Sequence, residues 1–81
     1  MRISLEIERV SAGEEPCEIE VHFDKEGLNV LIDRLNLIRD GKTDHVHMFT
    51  PSWGADDEDL SDIKEHQENY LVNHLKLILR E

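Results

Sequence analysis

Five aliphatic side chains, Leu28, Leu31, Ile32, Leu35 and Ile38, fall at positions i, i+3, i+4, i+7 and i+10 of a stretch without proline. That spacing lines up one apolar stripe along a helix of about four turns, and such a stripe has to be covered by another element. Asp24 stands where a carboxylate can cap free backbone N–H groups, and Glu26 suits the positive end of the helix dipole. Arg39 suits the negative end, and Gly41 can take the left-handed conformation that stops the helix. The spacing therefore predicts a helix over 24–40.

The flanking segments have period two, as half-buried strands do. Ile3, Leu5 and Ile7 alternate with Ser4, Glu6 and Glu8. Turn-forming residues occupy 11–16, after which Cys17, Ile19, Val21 and Phe23 alternate with Glu18, Glu20 and His22. The two runs read as a β-hairpin. A third short strand spans 44–50, with Val46 and Met48 on one face and His45, His47 and Phe49 on the other, and Pro51 ends it. Residues 52–69 are polar and irregular. In the last segment, Leu71, Val72, Leu75, Ile78 and Leu79 fit a helix face, whereas Leu75, Leu77 and Leu79 fit a strand face. An exposed edge left by three strands favours a fourth strand from about Asn73 to Leu79.

The expected fold is a single α+β domain over residues 1–81, with order ββαββ. One mostly antiparallel four-stranded sheet carries the single long helix on one face. The expected strand order is 2-1-3-4, with strands two and three running the same way because the helix returns the chain between them. Ile3, Leu5, Ile7, Ile19, Val21, Val46 and Met48 should meet Leu28, Leu31, Leu35 and Ile38. His22, His45 and His47 should share the opposite, wetter face with the glutamates.

Nine Lys and Arg against nineteen Asp and Glu leave a net charge of −10. A field of that sign repels phosphate backbones and anionic lipid, so neither nucleic acid nor a membrane is an expected partner, while a basic protein is. Cys17 is the only cysteine, so no intramolecular disulfide can form, which fits a reducing compartment. The first residues reach a charge too early for a signal peptide, and no apolar run approaches membrane-spanning length, so the expected location is cytoplasmic. A chain of 81 residues is near the lower limit for a self-sufficient core, and forming a homodimer would help it.

His45 and His47, at i and i+2 on a strand, project from one face and could present two imidazoles to a metal, with His22, Glu18 or Glu20 as a third ligand. The competing reading is that these histidines make charge-assisted hydrogen bonds to glutamates on an open sheet face. Trp53, between a proline and a glycine, is either an interface anchor or a seal over one end of the core. The acids Asp56, Asp57, Glu58, Asp59 and Asp62 lack the glycine and the final glutamate of a calcium loop, leaving a solvated loop or a contact surface for a basic partner. No serine lies in an elbow motif, Cys17 has no activating setting and no glycine-rich phosphate loop exists. The expectation is a non-enzyme without a cofactor. A zinc hydrolase built on His45 and His47 is the catalytic alternative.

The stretch His22-Phe23-Asp24-Lys25-Glu26-Gly27-Leu28, the run Gly41-Lys42-Thr43-Asp44-His45-Val46-His47-Met48, the following Thr50-Pro51-Ser52-Trp53-Gly54 and the terminal Asn73-His74-Leu75-Lys76 occur together. In this combination the chain resembles the immunity protein 32 family of bacterial polymorphic toxin systems. The resemblance implies a small α+β protein that neutralises a toxin by binding it, with Asp44, His45, His47, Trp53, Gly54 and His74 at the matching positions. Secreted nuclease toxins are often basic, and an acidic inhibitor suits them. A self-associating structural protein is the rival from another class.

Overall fold

The computed structural model describes residues 2–53 and 59–80. Its elements are β1 (Ile3–Ile7), β2 (Ile19–Phe23), α1 (Lys25–Arg39), β3 (His45–Phe49), a short 3-10 turn (Pro51–Trp53), β4 (Tyr70–Leu71) and β5 (His74–Ile78). The described residues thus form an α+β fold with one α-helix and antiparallel sheets, and the last segment is extended, the strand alternative of its two patterns. No helix among the described residues is long and apolar enough to cross a membrane.

Both helix ends form as their residues dictate. The Asp24 carboxylate accepts from the Gly27 N–H at 2.7 Å. Gly41 takes a φ of +78° and donates its N–H to the Ile38 carbonyl, which closes the last turn. Gly27 has a second role. A Cβ at this position would lie 2.4 Å from the Arg2 carbonyl oxygen and 2.8 Å from Ile3 Cγ1, so the missing side chain lets the helix start press against the backbone of β1.

The sheet differs from the expected one. The strands form a three-stranded sheet of order β2-β1-β4 and a two-stranded ladder β3-β5, where one four-stranded sheet of order 2-1-3-4 was expected. β1 pairs antiparallel with β2, from Ile3↔Phe23 to Ile7↔Ile19, and with β4 at Glu6↔Leu71 and Ile7↔Tyr70. β3 pairs antiparallel with β5, from His45↔Ile78 to Phe49↔His74. Only Val72 and Asn73 separate β4 from β5, with no turn or bend between them. Val72 donates to Leu5 and Thr50 donates to the Asn73 carbonyl, so the closing segment changes partner at this point.

The C-terminal segment therefore lies between β1 and β3, where β1 and β3 were expected to be neighbours. It satisfies an open edge of each, which a strand added at the periphery could do for only one. β4 and β5 run in one direction, so β3 runs with β1 and against β2, the reverse of the expected sense. The helix starts at the Arg2–Ile3 end, and its Leu31 and Leu35 face the hairpin across a groove.

That course decides the core. Ile3, Leu5, Val46, Met48 and Leu60 are buried, with Val30, Leu31 and Leu75 packed around the Ile3–Met48–Leu60 cluster. Val46 and Met48 face inward as the alternation predicts. Ile19, Val21, Leu28 and Leu35 remain exposed, contrary to expectation, because the helix stripe and the hairpin face diverge and leave an apolar groove between them.

The opposite face of β1 is not open either. Ser4 and Glu6 are fully buried beneath the segment 59–69. The Glu6 carboxylate accepts from the Glu65 N–H at 2.8 Å, the His66 N–H at 3.2 Å, Asn69 Nδ2 at 3.1 Å and the Ser4 hydroxyl. Ser61 donates to the Ile3 carbonyl and Leu60 to the Phe49 carbonyl, while Lys64 Nζ ties the segment internally to the carbonyls of Gln67 and Asn69. A stretch with no periodicity of its own is thus shaped by donors converging on one carboxylate. Burial by itself would raise the pKa of Glu6, but the donors from Ser4, Glu65, Asn69 and His66 prevail and hold it down at about 2.

Gly27→Ala gains helix propensity of about 1 kcal/mol, yet the overlap with Arg2 and Ile3 outweighs it and the variant loses about 1–3 kcal/mol in urea unfolding. Glu6→Gln loses about 2–3 kcal/mol at neutral pH, because an amide N–H₂ then faces backbone donors. Folding lowers the Glu6 pKa from 4.5 to about 2, so its contribution is full above pH 4.5 and is lost as pH falls toward 2. Unfolding curves of the native chain and Glu6→Gln should accordingly converge across that window.

Candidate functional site

The outward face of the β3–β5 ladder gathers aromatic rings. Alternation along β3 puts His45, His47 and Phe49 on one side, away from buried Val46 and Met48. The register sets His74 of β5 opposite Phe49. The rings of Phe49 and His74 stack with centroids 4.4 Å apart, those of His47 and His74 stack at 5.0 Å, and His45 meets His47 edge-on at 5.2 Å. Trp53 stands beyond them, its ring 6.3 Å from that of His74 and 61% of its surface exposed.

Backbone and hydroxyl contacts fix this arrangement. Trp53 donates its N–H to the Thr50 carbonyl, which forms the tight turn that presents the indole. Thr50 is buried and its hydroxyl donates to Asn73 Oδ1 at 2.7 Å, which locks the β3 end to the start of β5. Ser52 Oγ donates to Asp62 Oδ1 at 3.0 Å. At the other end of the row, Asp44 Oδ1 lies 2.7 Å from His45 Nδ1. That contact holds the Asp44 carboxyl below its ordinary range.

His47 Nδ1 and His74 Nε2 are 2.8 Å apart, so one ring donates and the other accepts, and both cannot be charged in this geometry. Lost hydration first, and then the neighbouring His74, His45 and Lys76, lower the His47 pKa from its ordinary value. The platform is an aromatic surface bordered by the Asp44 carboxylate. It offers ring faces, ring N–H edges and an indole, the side-chain types that dominate protein contact sites.

The structure brings together four of the residues singled out by sequence, His45, His47, Trp53 and His74, with Asp44 at the end of the row. Gly54, Asp56, Asp57 and Glu58 lie outside the described residues. Asp59 is not a surface contact as expected. It is buried, and its carboxylate receives the Arg34 guanidinium in a fork of 2.9–3.2 Å, tying the helix to the covering segment. Phe49, at the centre of the stack, was missed as a site residue although its parity with His45 and His47 was legible. Thr50 and Asn73 had no sequence signal, because their bond depends on how the last strand docks.

The three-histidine metal set does not assemble. His22 is on β2, across β1 and the closing segment from β3, and its Nε2 lies 2.8 Å from Glu20 Oε1. Glu6, Glu20 and His22 do bring ligand atoms within 4.8 Å of one another, the one such group among the described residues. Their chemistry is that of a hydrogen-bond network: Glu6 already accepts from four donors, and Glu20 accepts from Asn69 as well as facing His22. Filled acceptors of this kind fit a structural role and leave little for a cation.

No protein-family model matches the chain, and no curated protein or solved structure is significantly similar to it.

In an NMR titration, His47 should protonate below the ordinary histidine value of about 6.5. His74→Gln should move it upward by removing one of the neighbouring charges. Because folding disfavours the charged ring, its contribution to stability is full above the ordinary value and declines as pH falls below it.

Proposed function

We propose that this chain is a small acidic binding protein of the bacterial immunity type, which neutralises a toxin by occluding it. The observation that carries this reading is convergence. Of the four stretches behind the immunity protein 32 resemblance, 22–28, 41–48, 50–54 and 73–76, the last is distant in sequence from the two before it. Residues of these last three, His45, His47, Trp53 and His74, meet in one aromatic row. Trp53 stands 61% exposed beside the histidines, as an interface anchor would.

The mechanism has two parts. The charge of −10 draws a basic partner in and gives an association rate that falls with salt. The row from His45 to Trp53 then supplies the desolvated contact that slows dissociation. The protein acts in the cytoplasm, on a toxin before it reaches its target, and performs no reaction itself.

The test begins with capture from the native bacterium and mass spectrometry, then expression of the captured protein alone and with this chain. A basic protein that is toxic alone and harmless with this chain is expected. Trp53→Ala should weaken the complex about 10–100-fold, chiefly through faster dissociation. Absence of toxicity, or binding indifferent to Trp53→Ala, overturns the reading.

A further inference from the structure

The groove between the hairpin and the helix is lined only by apolar side chains, among them Leu5, Val21, Phe23, Leu31, Leu35 and Leu77, and encloses about 490 Å³. Its rims stand in water: Ile19 is 65% exposed and Leu35 53%. Exposed aliphatic surface on both a helix stripe and a facing strand is a core cut open, and it marks a contact surface. We propose that a second copy of this chain occupies it, making a two-fold symmetric dimer in which each helix enters the other's groove.

Area, shape and charge all select a second copy. The chain exposes 5863 Å² for a mass of 9.5 kDa. A compact chain of that mass exposes about 5000 Å², so the whole chain is on the order of 800 Å² more open than its mass requires, and the exposed Ile19, Val21, Phe23, Leu28, Ile32 and Leu35 contribute to that excess on this side. A two-fold interface needs a patch that complements itself. This one holds a ridge, the exposed Leu28, Ile32 and Leu35 of α1, alongside the hollow that can receive it.

Charge is low on this face. Helix α1 carries Lys25, Arg34 and Arg39 against Glu26 and Asp33, a net of +1 that Asp24 and Asp40 at its ends bring to −1, within a chain of −10. Two copies therefore repel one another little through the helix, and a basic partner has little electrostatic reason to choose this face. The groove and the histidine row also lie on opposite sides of the β3–β5 ladder, Leu75 and Leu77 facing one way and His74 and Lys76 the other. Dimer formation therefore leaves the toxin-binding face open and stands whether or not that face binds a toxin.

Sedimentation equilibrium and native mass spectrometry of the full chain test this. The native chain should run at twice the chain mass, with a dimer that tightens as salt rises because like net charges are screened. Leu35→Glu and Ile19→Lys, both at exposed positions, should each weaken the dimer tenfold or more while the circular dichroism spectrum is retained. Trp53→Ala should leave it unchanged. Ile19→Lys, at the more exposed position, serves if Leu35→Glu does not fold. A native chain that is monomeric at high micromolar concentration overturns the proposal. So does a dimer that survives both substitutions, or a single copy carrying a small apolar molecule.

Discussion

The Glu6 carboxylate is buried beside Ser4 and satisfied by donors from Glu65, His66 and Asn69, residues about sixty positions away. The segment 59–69 contributes one side chain, Leu60, to the core, its Ile63 is exposed and the rest are polar, so hydrogen bonds to Glu6 and the Asp59–Arg34 pair are what shape it. The cost of burying a charge is offset only because several N–H groups converge on it, and those N–H groups are in turn satisfied only because the carboxylate is there. This mutual dependence sets where Asn69 stands, and so where the chain enters β4.

From that entry point the rest of the architecture follows. The closing segment reaches β1 at Tyr70 and Leu71, passes through Val72 and Asn73, and continues as the partner of β3. By lying between the two, it keeps β3 away from β1 and carries the β3–β5 ladder beyond the hairpin. The helix is pinned at its start by the contact of Gly27 with Arg2 and Ile3. The same displacement produces both surface features of interest. It sets His74 beside Phe49 and His47 on the outer face, and it opens the apolar groove on the inner one.

The two faces differ in chemistry as their proposed occupants do. The outer one is aromatic, hydrogen-bonding and set in an acidic protein, which suits a polar, basic surface that must be held against dissociation. The inner one is wholly aliphatic and aromatic and resembles the interior of a domain more than a recognition site. A dimer through the inner face would present two outer faces at once.

Local signals in the sequence were sufficient for α1, β1, β2 and β3, whereas the last segment fitted a helix face and a strand face alike and the two-residue β4 had no signal of its own. The i, i+3, i+4 stripe with Asp24 and Gly41 at its ends defined α1 because capping and periodicity act within a few residues. The alternation of Val46 and Met48 with His45 and His47 set the faces of β3 for the same reason, and it put both histidines among the site residues. Strand order, the sense of β3 and the role of Glu6 were decided by tertiary structure. In the sequence Glu6 is one more polar residue in an alternating strand; its burial depends on donors contributed by Glu65, His66 and Asn69. Likewise Asp59 reads as part of an acidic run, and only the approach of Arg34 from the helix makes it a buried partner. Alternation specifies which side of a strand a residue takes, but what covers that side is set by segments distant in sequence, through hydrogen bonds that carry no local periodicity.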